Sequence, residues 1–381
     1  MENTLSHPSK IKTTRVCTLM ITHACNLDCS YCFEKHKSGK KMSFDVATQI
    51  LAKEFHNYKG DINSERLAIE LFGGEPLTNF PLIQQIYEWT KQQRLPFNYI
   101  FQITTNGTLL SASIKQWLME RKDDFRVVMS VDGTEAMQKK NRGCNLSELP
   151  ISFIKEVWPS SYFKLTLSSD TLSGYSEGVI SLYEKGYKIA SSLAEGQQWK
   201  ENDELIYRNE LKKIAEYYLT HPEKELEHPF NFLFKEYTSQ RMHDQLPHKN
   251  CGCGTTIAMY DTDGTLYPCH LFLPMVHGNQ NVLTEIKDID FSNPSALVDK
   301  ECQSCPILKV CKTCYGYNYS QRNQIISRDK SMCKLRLIEA QIISAFQIEY
   351  FTSIKRKLSD YELLMLNASL VCYKQIKDIT L

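Results

Sequence analysis

Three cysteines fall within eight residues in CNLDCSYC, Cys25 to Cys32, spaced C-x3-C-x2-C. A closed tetrahedral zinc site takes four protein ligands, so three clustered thiolates leave one coordination position open. On a cubane iron–sulfur cluster they would bind three irons and leave the fourth for a ligand from outside the protein. A zinc ion completed by His or Asp is the alternative that this spacing alone leaves open. Eight further cysteines come late in the chain: Cys251, Cys253, Cys269, Cys302, Cys305, Cys311, Cys314 and Cys333. They are enough to close two more four-thiolate sites, or two zinc sites of the ribbon kind. Cys17, Cys144 and Cys372 remain, and read as small buried apolar residues or inert surface thiols.

Four other short stretches carry polar groups suited to a small-molecule ligand. Gly73-Gly74-Glu75-Pro76 pairs two glycines, which let backbone approach a ligand closely, with a carboxylate that can accept from an ammonium. TTNGT, residues 104–108, offers Thr105 and Asn106, and SVDG, residues 130–133, offers Ser130 and Asp132. Hydroxyls and carboxylates suit a ribose, although the same residues also cap loops and form turns. Arg142 in KKNR can pair with a carboxylate. His270, directly after Cys269 in YPCHLF, can accept a proton near neutral pH.

These stretches need elements to hold them. Strand patterns run at 16–21, 66–72, 99–104, 125–131, 163–168 and 188–193. Helical patterns lie between them near 44–57, 80–93, 111–120 and 173–185. Repeated strand–helix order implies a parallel sheet with right-handed crossovers. Six units fall short of an eightfold barrel, so the expected fold is α/β, a partial (β/α)6 TIM-like barrel. Its ligand site belongs at the C-terminal ends of the strands. The cysteine triplet, GGEP, TTNGT and SVDG all follow or end a predicted strand, which puts them on that face. Beyond the barrel, 201–219 reads as one amphipathic helix stopped before His221-Pro222. TIAMYDTDGTLYPC reads as a β-hairpin around Asp263-Gly264, and LRLIEAQIISAFQIEYF as a closing helix.

Composition sets the frame. The 381 residues are 42% hydrophobic and 23% charged, enough to bury a core. Net charge is +1, from 45 basic and 44 acidic residues, which argues against a broad nucleic-acid or membrane footprint. The N-terminus has no apolar signal core and no run spans a bilayer, so a cytoplasmic setting is expected. In a reducing compartment fourteen cysteines point to metal ligands rather than disulfides.

The C-x3-C-x2-C triplet after the first strand of a partial barrel, with Tyr31 just before the third cysteine, resembles the radical S-adenosylmethionine (SAM) superfamily. The resemblance implies that Cys25, Cys29 and Cys32 hold a [4Fe–4S] cluster and that SAM chelates its open iron. It implies one-electron reduction of the sulfonium, giving a 5′-deoxyadenosyl radical that abstracts hydrogen from substrate. It also implies that Tyr31, Gly73, Gly74, Glu75, Thr105, Asn106, Ser130, Asp132 and Arg142 surround SAM.

The later cysteines resemble a SPASM domain, a C-terminal module with two auxiliary [4Fe–4S] clusters. Carried over, Cys251, Cys253, Cys269 and Cys314 bind auxiliary cluster I, and Cys302, Cys305, Cys311 and Cys333 bind auxiliary cluster II. The central block here ends C-x2-C, one residue shorter than the usual C-x3-C. The implied division is an extension at 1–14, the barrel at 15–193, a helical bridge at 194–250, the SPASM domain at 251–350 and a C-terminal helical segment at 351–381.

Radical SAM enzymes with this module mostly modify peptides or proteins. The leading expectation is a maturase of ribosomally made peptides that installs an intramolecular thioether or carbon–carbon crosslink. The alternative is an anaerobic sulfatase-maturating enzyme, which makes formylglycine. In that class an Asp follows the cysteine of the YPC segment, whereas His270 stands here. A zinc-stabilised binding module is the alternative of another class. The implied partners are a precursor peptide and an electron donor such as flavodoxin or ferredoxin. Only twenty-four residues precede Cys25, too few for a leader-binding domain. The leader is therefore expected to dock on the chain itself or on a separate leader-binding protein.

Overall fold

The computed structural model describes residues 11–226, 229–232, 251–311 and 313–379. Most of the expected N-terminal extension and much of the expected bridge, at 227–228 and 233–250, lie outside the described residues. The chain divides into two compact units built from non-contiguous stretches. One takes in Met1–Val131, Arg142–Phe163 and Gly252–Ser292. The other takes in Asp132–Asn141, Lys164–Cys251 and Asn293–Leu381.

The first unit is organised by a six-stranded sheet. Its first four strands are β1 (Lys12–Thr22), β2 (Glu65–Gly73), β3 (Asn98–Thr105) and β4 (Phe125–Met129). All are parallel neighbours in the order β4-β3-β2-β1. Strands covered on both faces need long apolar runs. From Cys17 to Thr22 every residue of β1 is buried, and Leu67, Ala68 and Ile69 of β2 are fully enclosed. Helices α1 (Phe44–Asn57), α2 (Phe80–Gln92) and α3 (Ala112–Met119) make the crossovers. In α1 the buried residues Ala47, Ile50, Leu51, Glu54 and Phe55 recur at i, i+3, i+4, i+7 and i+8, which is one helical face. Ser43 opens that helix by accepting from the Val46 N–H.

The sheet does not continue from β4 into the next two strands. Instead it grows on the β1 side. Residues Ile257–Tyr260, here β7, pair in parallel with β1, and Leu266–Tyr267, β8, pair antiparallel with β7. The predicted hairpin is present, with Gly264 at φ +88° in its turn. It caps the β1 edge, whose N–H and C=O groups otherwise need another partner. The α/β class and the mostly parallel sheet are as expected. Strands β5 (Tyr162–Leu167) and β6 (Lys188–Leu193) form their own two-stranded sheet. The short helices α4 (Glu135–Arg142) and α5 (Ile151–Val157) precede β5, and α6 (Tyr175–Glu184) lies between β5 and β6.

In the second unit α6 is followed by α7 (Asp203–Thr220). Glu210 of α7 accepts from the Ser176 N–H and Oγ–H, at 2.8 and 2.6 Å, which fixes α7 to the start of α6. After the two single-turn helices α8 (Pro274–His277) and α9 (Val282–Glu285) of the first unit, the second unit resumes. It adds α10 (Tyr315–Arg322), α11 (Cys333–Ser353) and α12 (Asp360–Ile376). Ile307, Ala340, Ile343, Ala368, Cys372 and Ile376 form a core here, with Cys305 and Cys311 packed against it. Thus α11 and α12 support the segment that carries the late cysteines. Cys17 and Cys372 are fully buried, and Cys144 is half-buried. Among the described residues no helix is long and apolar enough to cross a membrane.

Candidate active site

Because β1 to β4 are parallel, the loops after them emerge at one edge of the sheet. The cysteine triplet leaves β1, GGEP leaves β2, TTNGT leaves β3 and Ser130 follows β4. The β1–β2 pairing runs on past the strands: Gly74 N donates to Thr22 O at 3.1 Å and Glu75 N to Ala24 O at 2.8 Å. This lays GGEP directly along the approach to Cys25. A Cβ on Gly73 would meet Thr22 Cγ2 at 2.7 Å, and one on Gly74 would meet Ala24 O at 2.5 Å and Cys25 Cβ at 2.9 Å. Only glycine permits that approach.

The three cysteines are half-buried. The Leu27 N–H donates to Cys25 Sγ at 3.5 Å, and Cys32 N donates to Cys29 O at 3.0 Å. Burial raises the Cys25 and Cys32 thiols above their ordinary value, while the nearby Lys37 ammonium pulls both back. Lys37 is itself pinned by Leu27 O at 3.1 Å. A backbone N–H on a thiol and an ammonium nearby are what an anionic metal–thiolate group needs. Among the described residues no three His, Cys, Asp or Glu side chains converge on one point as a single ion requires. A cubane binds each thiolate through a different iron and needs no such convergence. Three cysteines on one loop, with a backbone donor on one sulfur and a cation nearby, are a donor set that suits a cluster.

Glu75 is held by donors of the protein itself. It is almost fully enclosed. Its Oε1 accepts from Leu77 N at 3.1 Å and Thr105 Oγ1 at 2.8 Å, and its Oε2 from Asn106 N at 2.8 Å. Burial pushes its pKa up against these bonds and against the positive charge of Arg142. The carboxylate is committed to the protein: it bolts GGEP to TTNGT. Thr105 is spent on the same bond. Asn106 Nδ2 donates to Asn26 Oδ1 at 3.0 Å, and Asn26 Nδ2 donates to Thr108 Oγ1 at 2.7 Å, which ties the cysteine loop to the β3 loop. Ser130 joins through its N–H to Thr105 O at 2.9 Å.

Arg142 is buried, with its guanidinium 5.4 Å from the Tyr31 ring centroid. That contact brings together two residues picked from separate motifs. His270 sits between two aromatic rings, Phe33 at 5.2 Å and Phe72 at 5.1 Å. Phe33 follows Cys32 and Phe72 precedes Gly73, so the imidazole lies beside the cysteine loop and GGEP. Asp132 belongs to the second unit. It is fully enclosed, and its Oδ1 accepts from Thr166 N at 3.0 Å.

Several contributors carry no sequence motif. His23, just before the triplet, is buried against Asp261 at 2.6 Å, 238 positions away. Burial pushes the Asp261 carboxyl up, and bonds from His23 and the Thr262 N–H more than reverse it. Glu34 is buried, its Oε1 has no partner among the described residues, and burial raises its pKa to about 8. Lys37 and Asn26 complete the group. Only their nearness to the triplet hints at them.

The late cysteines fall into sets. Cys302, Cys305, Cys311 and Cys333, the four assigned to one cluster, line a common cavity in the second unit. Cys314 lines it as well, although the resemblance assigns Cys314 to the other cluster. Burial raises the Cys311 thiol to about 11, against the nearby Arg328 and Arg336 charges. In the first unit Cys253 and Cys269 are buried and hydrogen-bonded to each other. Cys251 is exposed and falls in the second unit.

Comparison with known proteins bears on this arrangement. Residues 19–149 match the model of the Radical SAM superfamily. An uncharacterized protein of Methanocaldococcus jannaschii, MJ0907, is 33% identical over 117 residues, 31% of this chain and 38% of that protein. The radical SAM cyclopropyl synthase TigE of Paramaledivibacter caminithermalis is 27% identical over 190 residues, 45% of this chain and 39% of that protein. The chain thus spans less than half the length of these curated relatives. Among solved structures, anSMEcpe with bound AdoMet and Cp18Cys peptide superposes with TM-score 0.63 at 17% identity, over 88% of this chain and 96% of that one. Streptococcus suis SuiB bound to precursor peptide SuiA gives 0.52 at 17% identity, over 84% and 76%. The fold is therefore shared with proteins solved in complex with peptides, and residues 19–149, which carry the motif-bearing loops, are similar to the Radical SAM superfamily.

Proposed function

We propose that the chain is an enzyme that uses SAM and a [4Fe–4S] cluster to modify a precursor peptide, closing an intramolecular thioether or carbon–carbon crosslink. The observation that carries this reading is the seating of GGEP against the Cys25 loop at the C-terminal edge of β1 and β2. Cys25, Cys29 and Cys32 would hold the cluster. When bound, cluster and SAM supply a carbon radical that takes hydrogen from an unactivated carbon. The protein's part is to orient and shield. Gly73 and Gly74 let GGEP seat closely against the Cys25 loop. Glu75 and Thr105 hold the two loops in register. Arg142 on Tyr31 offers a cation for the SAM carboxylate. His270, packed beside both loops, is the residue placed to accept a proton from substrate.

The remaining cysteines are read as ligands of two auxiliary clusters, within a SPASM-type segment at 251–350. Cys302, Cys305, Cys311 and Cys333 serve one, and Cys251, Cys253, Cys269 and Cys314 the other. That makes three clusters in all, served by a flavodoxin- or ferredoxin-like donor in the cytoplasm. Similarity to proteins solved with peptides supports a peptide partner, presented by its own leader or by a separate leader-binding protein.

Anaerobic purification tests the reading. Brown protein with close to twelve irons and twelve sulfides per chain is the expected result for three cubes. Replacing Cys25, Cys29 and Cys32 with Ala should remove one cube and abolish SAM cleavage. Mass spectrometry of a co-expressed peptide should show a loss of two hydrogens. An aldehyde-reactive product would point to formylglycine instead. Colourless, zinc-loaded protein would sink the radical chemistry.

A further inference from the structure

The cavity lined by Cys302, Cys305, Cys311, Cys314 and Cys333 is served by three cationic side chains. Arg328 and Arg336 line it, and Lys330 Nζ stands 3.7 Å from Cys302 Sγ. Two of the three are accounted for by carboxylates. Arg336 meets Glu195 at 3.4 Å and Glu339 at 3.0 Å. Lys330 meets Asp299 at 2.9 Å and Glu301 at 3.5 Å.

Arg328 differs. Its backbone N–H donates to Asp299 Oδ2 at 3.1 Å, which fixes the chain. Its side-chain Nε is buried and has no acceptor among the described residues. A donor taken out of water and left unpaired costs free energy, and calls for a partner that arrives later. Several polar atoms around the cavity are already engaged. Asp329 Oδ1 accepts from Ser331 N at 3.0 Å and Ser331 Oγ at 2.6 Å. Asn318 Oδ1 accepts from Arg322 at 2.9 Å, and Thr313 Oγ1 from Asn318 Nδ2 at 3.2 Å. What this wall presents in quantity is sulfur.

We propose that Arg328 is a positioning and tuning residue for an iron–sulfur cluster in this cavity, its Nε–H donating to a thiolate or sulfide sulfur. Lys330 marks Cys302 as a second hydrogen-bonded sulfur. The inference rests on the reading that these cysteines hold a cluster. Donation to sulfur draws electron density away and favours the reduced, more negative form, so it raises the reduction potential. The electron gained comes from the same external donor that reduces the other clusters.

The test uses the full chain with Cys25, Cys29 and Cys32 replaced by Ala, which leaves only the auxiliary signals. Dithionite titration followed by electron paramagnetic resonance is run with and without Arg328→Met. The expected result is unchanged iron, with one midpoint potential shifted to more negative values and the other unmoved. Lys330→Met should shift that same signal in that same direction. Full iron with both potentials unmoved in Arg328→Met overturns the inference. Absence of iron from the parent chain instead overturns the cluster reading. If Arg328→Met loses one cluster's iron, Arg328→Gln, which keeps an N–H, decides: iron restored supports the role and iron still lost overturns it.

Discussion

Gly74 and Cys25 sit so close that a Cβ on Gly74 would come within 2.9 Å of the Cys25 Cβ and 2.5 Å of Ala24 O. The obstructing groups are backbone and the first side-chain carbon, so no rotamer change relieves the clash. Gly74→Ala must therefore push the cysteine loop away from GGEP. Overpacking of this kind costs about 1–3 kcal/mol. We expect lower iron per chain and SAM cleavage reduced roughly tenfold or more, since each 1.4 kcal/mol at the transition state is tenfold. Gly39→Ala is the control: a Cβ there meets nothing within 4 Å. Equal behaviour of the two variants would contradict the role given to this contact.

Glu75 predicts an asymmetry between two conservative changes at one buried bolt. Its two oxygens accept three hydrogen bonds, from Leu77 N, Thr105 Oγ1 and Asn106 N. Glu75→Gln keeps size but replaces one oxygen with an NH2 that faces a donor. The lost charged acceptor is worth about 1.5–3 kcal/mol. Thr105→Val removes one donor and leaves the carboxylate with two, so it should cost less, about 1 kcal/mol. Chemical denaturation of both variants measures the difference. A Gln variant as stable as the parent would show that the carboxylate is not the bolt.

The start of α12 carries a pH prediction. Ser359 and Glu362 form a reciprocal capping box, and Arg356 grips Glu362 at 2.6 and 2.8 Å. The Arg356 bonds hold the Glu362 carboxyl down to about 2, against burial, with Ser359 adding to the effect. A carboxyl depressed in the folded state contributes stability that is full above its unfolded pKa. That contribution fades as pH falls from about 4.5 toward 2. Ser359→Ala should cost about 1 kcal/mol at neutral pH. Glu362→Gln should destabilise at pH 7 and flatten the acid side of the thermal-stability curve. A Gln variant with the parent's full acid slope would show that this pair is not its source.

How much of the fold is legible in the sequence depends on what each element rests on. Strands β1, β2, β3, β5 and β6 begin and end close to where the alternation places them, because their apolar runs are local signals. Helices α1 and α2 show themselves through stripes at i, i+3 and i+4. Helix α4 has no such signal: six of the eight residues in EAMQKKNR are polar and leave no stripe. Helix α5 has only seven residues, too few for a period to emerge. The docking of β7 on β1 is hidden for another reason. Strand patterns give a face but not a neighbour, and Val16 pairs with Ile257 across more than half the chain. The site is legible where a motif closes on itself, as in the cysteine triplet. Tertiary facts such as His23 on Asp261, or the buried Nε of Arg328, depend on distant segments meeting and leave no local pattern.

The base role proposed for His270 predicts a split between radical generation and the later proton transfer. The ring packs against Phe33 and Phe72, beside the cysteine loop. His270→Phe keeps an aromatic ring in that slot and removes the proton acceptor. Cleavage of SAM without peptide should then continue near the parental rate. Peptide product should fall by about 100-fold or more, the scale of a lost general base. His270→Gln, which keeps hydrogen bonding but cannot take a proton, should behave likewise. If either variant loses uncoupled SAM cleavage along with product, the residue supports the site by packing. If both keep product formation, the base lies elsewhere. Deuterium exchange at the modified position of recovered substrate adds a third readout. A radical formed but not carried forward returns hydrogen from solvent-exchanged groups, and label should then build up in unmodified peptide in the variants alone.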